Sequence, residues 1–166
     1  MALASGETNY MAPASARQMA SDLALLPMWY ADAGSAVLAP SAYNADFLKT
    51  KSELLSMDVA LLTEPEVADG KDRKFSPWGW DPALRKRLMT LGADQAELPS
   101  ADYMNILREH SHRLQAVKLL PGLRLNEYFC GESFYLNTLA ECSAFVEGRE
   151  VCLLKAPLSG SGKGLN

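Results

Sequence analysis

Apolar residues recur along this 166-residue chain in two rhythms, one spaced by three to four residues and one short and continuous, and their order predicts the fold of the first half. "APASARQMASDLALLP" puts Pro13 at a first helical position, repeats apolar residues at Met19, Leu23 and Leu26, and meets its breaker at Pro27. This is an amphipathic helix. After the "DAGS" turn, "AVLAP" has the length and composition of a short buried strand closed by Pro40. "NADFLKTKSELLS" reads as a second helix and "DVALLT", residues 58 to 63, as a second strand. With "MALA" as a short leading strand the order is β-α-β-α-β. Parallel neighbours need crossover helices, so this order predicts an α/β fold whose residues 1 to 75 form a small Rossmann-like parallel sheet with flanking helices.

The second half is patterned differently. Residues 64 to 76, "EPEVADGKDRKFS", are polar enough for a surface loop. In "PWGWDPALRKRLMTLG", Asp81 can cap a helix, Pro82 can open it, Gly92 can end it, and Leu84, Leu88 and Leu91 mark its buried side. Its "RKR" then reads as a solvated face, and Trp78 and Trp80 as anchors for the start of the helix rather than a ligand shelf. Ser100 caps a long helix through "ADYMNILREHSHRLQAVKL", with Tyr103, Leu107, His110, Leu114 and Val117 as its apolar stripe, until Pro121-Gly122 stops it. A helical segment is thus expected over 76 to 122. From 123 onward, "LRLNEYFCG" reads as strand and turn, and Ser133 as the cap of a helix that ends at Gly148, with Tyr135, Leu139, Cys142 and Val146 on its apolar face. "EVCLLK", residues 150 to 155, is apolar on both faces and reads as a covered strand.

Composition narrows the function classes. A hydrophobic content of 48% supports a real core, and sixteen basic against twenty acidic side chains give a net charge of −4, which argues against nucleic acid or an anionic membrane as partner. No apolar run approaches the length that spans a bilayer, and Arg17 is the first cation, so no secretory signal is expected and the chain reads as cytoplasmic. Cys130, Cys142 and Cys152 have neither zinc-site spacing nor disulfide-scaffold density and read as reduced, mostly buried thiols. His110 and His112 lie two apart, a spacing at which helical side chains diverge, so no metal site is expected there.

Candidate chemistry concentrates at the end of the chain. A lysine closing a covered strand is a fixed point charge suited to phosphate, and the following "SGSGKG" frees backbone N–H groups to turn toward an anion. It is not a Walker A loop. Aligned on Gly162-Lys163, that motif would find Pro157 at its first glycine and Gly164 where the Mg²⁺-binding hydroxyl belongs. No G-x-G-x-x-G follows any strand of the first half, and no nucleophile-base pair marks a self-contained Rossmann-like enzyme.

"LLKAPLSGSGKGL" instead resembles the ATP-grasp superfamily, in which a strand ending in K-x-P or K-x-S runs into a glycine loop of the form G-x-G-G/R/K-G. By that resemblance Lys155 contacts the α- and β-phosphates of ATP, and Ser159, Gly160, Ser161, Gly162, Lys163 and Gly164 form a loop over the β- and γ-phosphates. It covers about the last fifteen residues. More loosely, "ALASGETNYMAPASARQMASDLALLPMWYA" and "SPWGWDPALRKRL" look like a bacterial group of ATP-grasp-like proteins whose members carry an N-P-E-x-D block ahead of the "ALA" segment. This chain lacks the block, so its first strand is expected to be short. The resemblance implies a pre-ATP-grasp domain followed, over 123 to 166, by the first strand-loop of an ATP-grasp domain. It also implies ATP and Mg²⁺ as cofactors of the intact protein, with neither expected to be tightly bound by these residues alone, and a small-molecule carboxylate as substrate, activated as an acyl phosphate for attack by an amine or thiol. The family's adenine hinge and metal ligands lie after the glycine loop, so these 166 residues alone are expected to be inactive, and the unpaired edge of strand 150 to 155 is expected to favour self-association. The alternative is a non-catalytic α/β binding or interaction module with a flexible Gly/Ser tail.

Overall fold

The first helical elements of the chain are a single turn, Ala2–Ser5 (α1), and the amphipathic helix Ala14–Asp22 (α2). The computed structural model describes residues 2–69, 73–126, 128 and 132–159. Past α2 the chain makes a 3₁₀ turn, Leu26–Trp29, which tolerates Pro27 near its start because the first N–H groups of a helix have no internal partner. Ser35–Ala39 (β1) and Val59–Thr63 (β2) then pair in parallel, Ser35 opposite Val59 and Ala39 opposite Thr63. The crossover between them is Ala45–Leu55 (α3), as a parallel pair requires. The expected leading strand does not form: Ala2, Leu3 and Ala4 of that stretch are helical, and the sheet has two strands among the described residues.

Met28 from the 3₁₀ turn, Val37 from β1, Leu48 from α3 and Val59 from β2 meet in one buried cluster. Burial of such side chains contributes about 1.5–3 kcal/mol each, so this contact is the main reason the crossover unit holds together. Two left-handed residues position its turns. Gly34, at φ +80°, lets its N–H donate to Asp58 O at 2.8 Å, and Ser56, at φ 54°, ends α3.

The polar segment after β2 is better fixed than a surface loop. Thr63 and Glu66 form a capping box around the turn Glu64–Glu66, and the Thr63 hydroxyl and N–H hold the Glu66 carboxyl below its ordinary range. Val67 beside it is buried. The helix Pro82–Thr90 (α4) starts where the sequence places it, with Asp81 accepting from the Ala83 and Leu84 N–H groups, each at 2.9 Å. Its basic residues are not simply solvated. Arg85 donates to Pro99 O at 2.7 Å, Lys86 to Asn9, and Arg87 pairs with Glu64. Trp78 does not anchor the helix, because 93% of it is exposed, whereas Trp80 is partly buried.

The chain divides into two compact units. One comprises Ala2 with Gly6–Ser100; the other comprises Leu3–Ser5 with the residues from Ala101 onward. In the second, the expected long helix is two helices, Ala101–His110 (α5) and Leu114–Leu123 (α6), and Pro121 sits inside the last turn of α6 instead of stopping it. The stripe is also shifted: Met104 is the buried residue of α5, and His110 is exposed. Leu139–Glu147 (α7) begins after Thr138, not Ser133. Thr138 and Glu141 make a capping box, which Ser133, with Leu136 three residues on, has no acid to complete. Residues 124–126 and 128 of the expected strand "LRLNEYFCG" are not in a strand, and Glu127 and 129–131 lie outside the described residues. No described helix is long and apolar enough to cross a membrane.

Candidate functional site

The break between α5 and α6 builds the site. Ser111 Oγ donates back to Leu107 O at 2.8 Å, while His112 Nδ1 accepts from the Leu114 N–H at 3.0 Å and so caps α6. The imidazole also meets the Tyr135 ring edge-on, with centroids 5.4 Å apart. His112 is therefore structural, and Arg113 is left at the head of α6 facing the last described segment. Its N–H donates to Pro157 O at 2.9 Å, its Nε to Ala156 O at 3.1 Å and its Nη2 to Ser159 O at 2.7 Å. Ser159 Oγ closes the turn by donating to Ala156 O at 3.1 Å. One residue thus fixes the base from which the glycine stretch departs.

Of the residues read as phosphate ligands, Lys155 and Ser159 are described and lie on this clamped segment; Gly160, Ser161, Gly162, Lys163 and Gly164 lie outside the described residues. The approach to Lys155 differs from expectation. Residues 150–154 are not a strand, Val151 is 90% exposed and Leu153 is 56% exposed, and only Lys155 itself makes a single β-bridge. A strand needs a neighbouring ladder to satisfy its N–H and C=O groups, and apolar alternation does not supply one. The unpaired strand edge expected to recruit a second copy is accordingly not formed here.

Lys155 lines a cleft of about 1030 Å³ together with Arg113, Arg149, Phe134, Phe145 and Glu132. Among the described residues lining it, three cations stand against one carboxylate, which favours an anionic occupant. Arg113 is committed to carbonyl groups, whereas Lys155 is exposed and its ammonium makes no hydrogen bond or ion pair with another described residue. The donor set fits a phosphate chain. Among the described residues it does not fit a protein-held Mg²⁺, because Glu132 is the one acid of theirs on the cleft and they hold no group of three or more His, Cys, Asp or Glu arranged for a metal. Cys142 and Cys152 are free, partly buried and among the residues lining the cleft; Cys130 lies outside the described residues.

Sequence reasoning missed Arg113, Arg149 and the aromatic pair. Arg113 reaches a partner 43 residues away, a distance no local spacing rule covers. The break that aims it was signalled only weakly, by "HSH", whose Ser and His compete with the helix for backbone hydrogen bonds. The chain matches no family model, no curated protein and no solved structure.

Proposed function

We propose that this chain carries the phosphate-contacting part of an ATP-dependent carboxylate-amine or carboxylate-thiol ligase of the ATP-grasp kind. The observation that carries the reading is Lys155. Its exposed ammonium lines a cation-rich cleft just ahead of the segment 156–159, which Arg113 holds through Ala156, Pro157 and Ser159, and "SGSGKG" begins at that Ser159. In this reading Lys155 neutralises the α- and β-phosphates, and Ser159 through Gly164 supply backbone N–H groups to the terminal phosphates. Mg²⁺ arrives on the nucleotide. When bound, it supplies charge neutralisation for transfer of the γ-phosphoryl group to a small-molecule carboxylate. The single crossover β1-α3-β2 supports a Rossmann-like reading of the first unit, and the free thiols support a cytoplasmic setting.

The test is titration calorimetry of ATP in magnesium buffer against the chain and its Lys155→Ala variant. A charge-assisted contact contributes about 1.5–3 kcal/mol, so the variant is expected to bind at least tenfold more weakly. Equal affinity in the two proteins would remove Lys155 from the site. The irregular course of 150–154 favours a second reading, a non-catalytic α/β binding or interaction module whose last residues are a tail. On that reading the unaltered chain gives no heat of ATP binding.

A further inference from the structure

The junction between α5 and α6 holds a bond whose acceptor a proton can switch off. His112 Nδ1 accepts from the Leu114 N–H at 3.0 Å, so that nitrogen has to be unprotonated for the bond to exist. The bond spans Arg113 and closes the turn that presents the Arg113 N–H to Pro157 O at 2.9 Å. The other bonds of the turn, from the His112 N–H to Glu109 O at 3.1 Å and from the Gln115 N–H to His112 O at 3.0 Å, join backbone groups that do not titrate. Around the imidazole, Tyr135 meets it edge-on from the segment ahead of α7, and Glu109, His110 and Arg113 flank it along its own chain. The clamped segment adds a further cation, Lys155. Among the described residues no carboxylate pairs with the imidazole, so none is in place to hold an added proton.

We propose that His112 is a pH-sensitive latch on the segment that Arg113 holds. With the imidazole neutral, Nδ1 accepts and the turn is closed. Between about pH 8 and pH 5 a histidine takes up its second ring proton, and at Nδ1 that proton sets a donor against the Leu114 donor. The added charge also lies at the N-terminal end of α6, where the helix dipole opposes it. The turn then opens, the Arg113 N–H leaves Pro157 O, and the segment after Lys155 is released. The latch therefore contributes fully above the histidine range and is lost as pH falls through it. It acts on the segment itself, so it holds whatever Lys155 binds.

The test follows amide exchange at Arg113 and Leu114 by nuclear magnetic resonance from pH 8 to pH 5, corrected for the intrinsic pH dependence of exchange. The unaltered chain, His112→Asn and His110→Gln are compared, with the amides of α5 and α7 as controls from the same unit. The latch predicts that protection of the two amides falls roughly twofold to thirtyfold on acidification, the equivalent of losing one helix cap. His112→Asn keeps its protection at both ends of the range, because an amide oxygen caps without titrating, and His110→Gln falls as the unaltered chain does. Constant protection in the unaltered chain, or a fall that persists in His112→Asn, overturns the latch. So does an equal fall in α5 and α7, which would be acid unfolding of the unit. Should His112→Asn leave the turn open at pH 8, the nitrogen-15 shifts of the His112 ring in the unaltered chain decide. Nδ1 has to be the unprotonated nitrogen at pH 8 and to titrate over the same interval as the protection; any other tautomer or interval overturns the proposal.

Discussion

Gly92 shows how far a single residue can be read before the fold is known. Its place after the last periodic leucine of α4 predicts a left-handed stop, and its φ is +90°. Its second role depends on tertiary structure. A Cβ built there would stand 2.7 Å from the Ala68 Cβ, closer than carbon atoms approach, and a tight 3.3 Å from its Cα. Backbone strain for a non-glycine residue in this region is about 1–3 kcal/mol, and the clash adds to it. Gly92→Ala is therefore expected to lower the urea midpoint of unfolding by at least that equivalent at unchanged slope. An unchanged midpoint would mean that segment 64–69 does not stay against the end of α4. The same limit applies to Glu64 and Arg87: their charges are visible in the sequence, their pairing is not.

At the scale of elements, local rules succeeded where the stabilising groups are neighbours in sequence. Asp81-Pro82 opens α4 and a crossover helix joins β1 to β2, because caps and parallel connections are settled within a few residues or one helix. They failed where a distant partner decides. The stretch 101–119 has helical periodicity throughout, yet it divides where Arg113 clamps 156–159, more than forty residues on, beside a local bond from the Leu114 N–H to His112 Nδ1. Arg113→Ala removes the side-chain bonds to the Ala156 and Ser159 carbonyls, with the longer contact to Ser159 Oγ, and keeps the backbone bond to Pro157. At about 0.5–1.5 kcal/mol each, their loss is expected to speed proteolytic cutting within 155–159 by roughly fivefold to a hundredfold. Arg113→Lys should restore only part of the protection, since an ammonium cannot span both carbonyls in one fork. Cutting at the original rate in Arg113→Ala would show that the clamp does not order the segment.

At the scale of the whole molecule, burial is uneven. Met28, Val37, Ala39, Leu48, Val59, Val67, Leu88 and Leu98 are buried in the first unit, while in the second, among the described residues, Met104 alone is. Local opening is governed by buried apolar contact, so amides of β1 and β2 are expected to exchange with solvent much more slowly than those of α5, α6 and α7. Equal protection in the two units would mean that the second is stabilised by something other than its own apolar burial. By itself the sequence determined the α/β class, the strands at 35–39 and 59–63, the cap and stop of α4 and the glycine-rich context of Lys155, because periodicity, capping and turn chemistry act over a few residues. Only tertiary structure decided that residues 2–4 and 150–154 are not strands, that Arg113 grips the segment after Lys155, and that Phe134, Phe145 and Arg149 share a cleft with it. Strand pairing and cleft walls are made by residues far apart in the chain, and no local pattern records which of them meet.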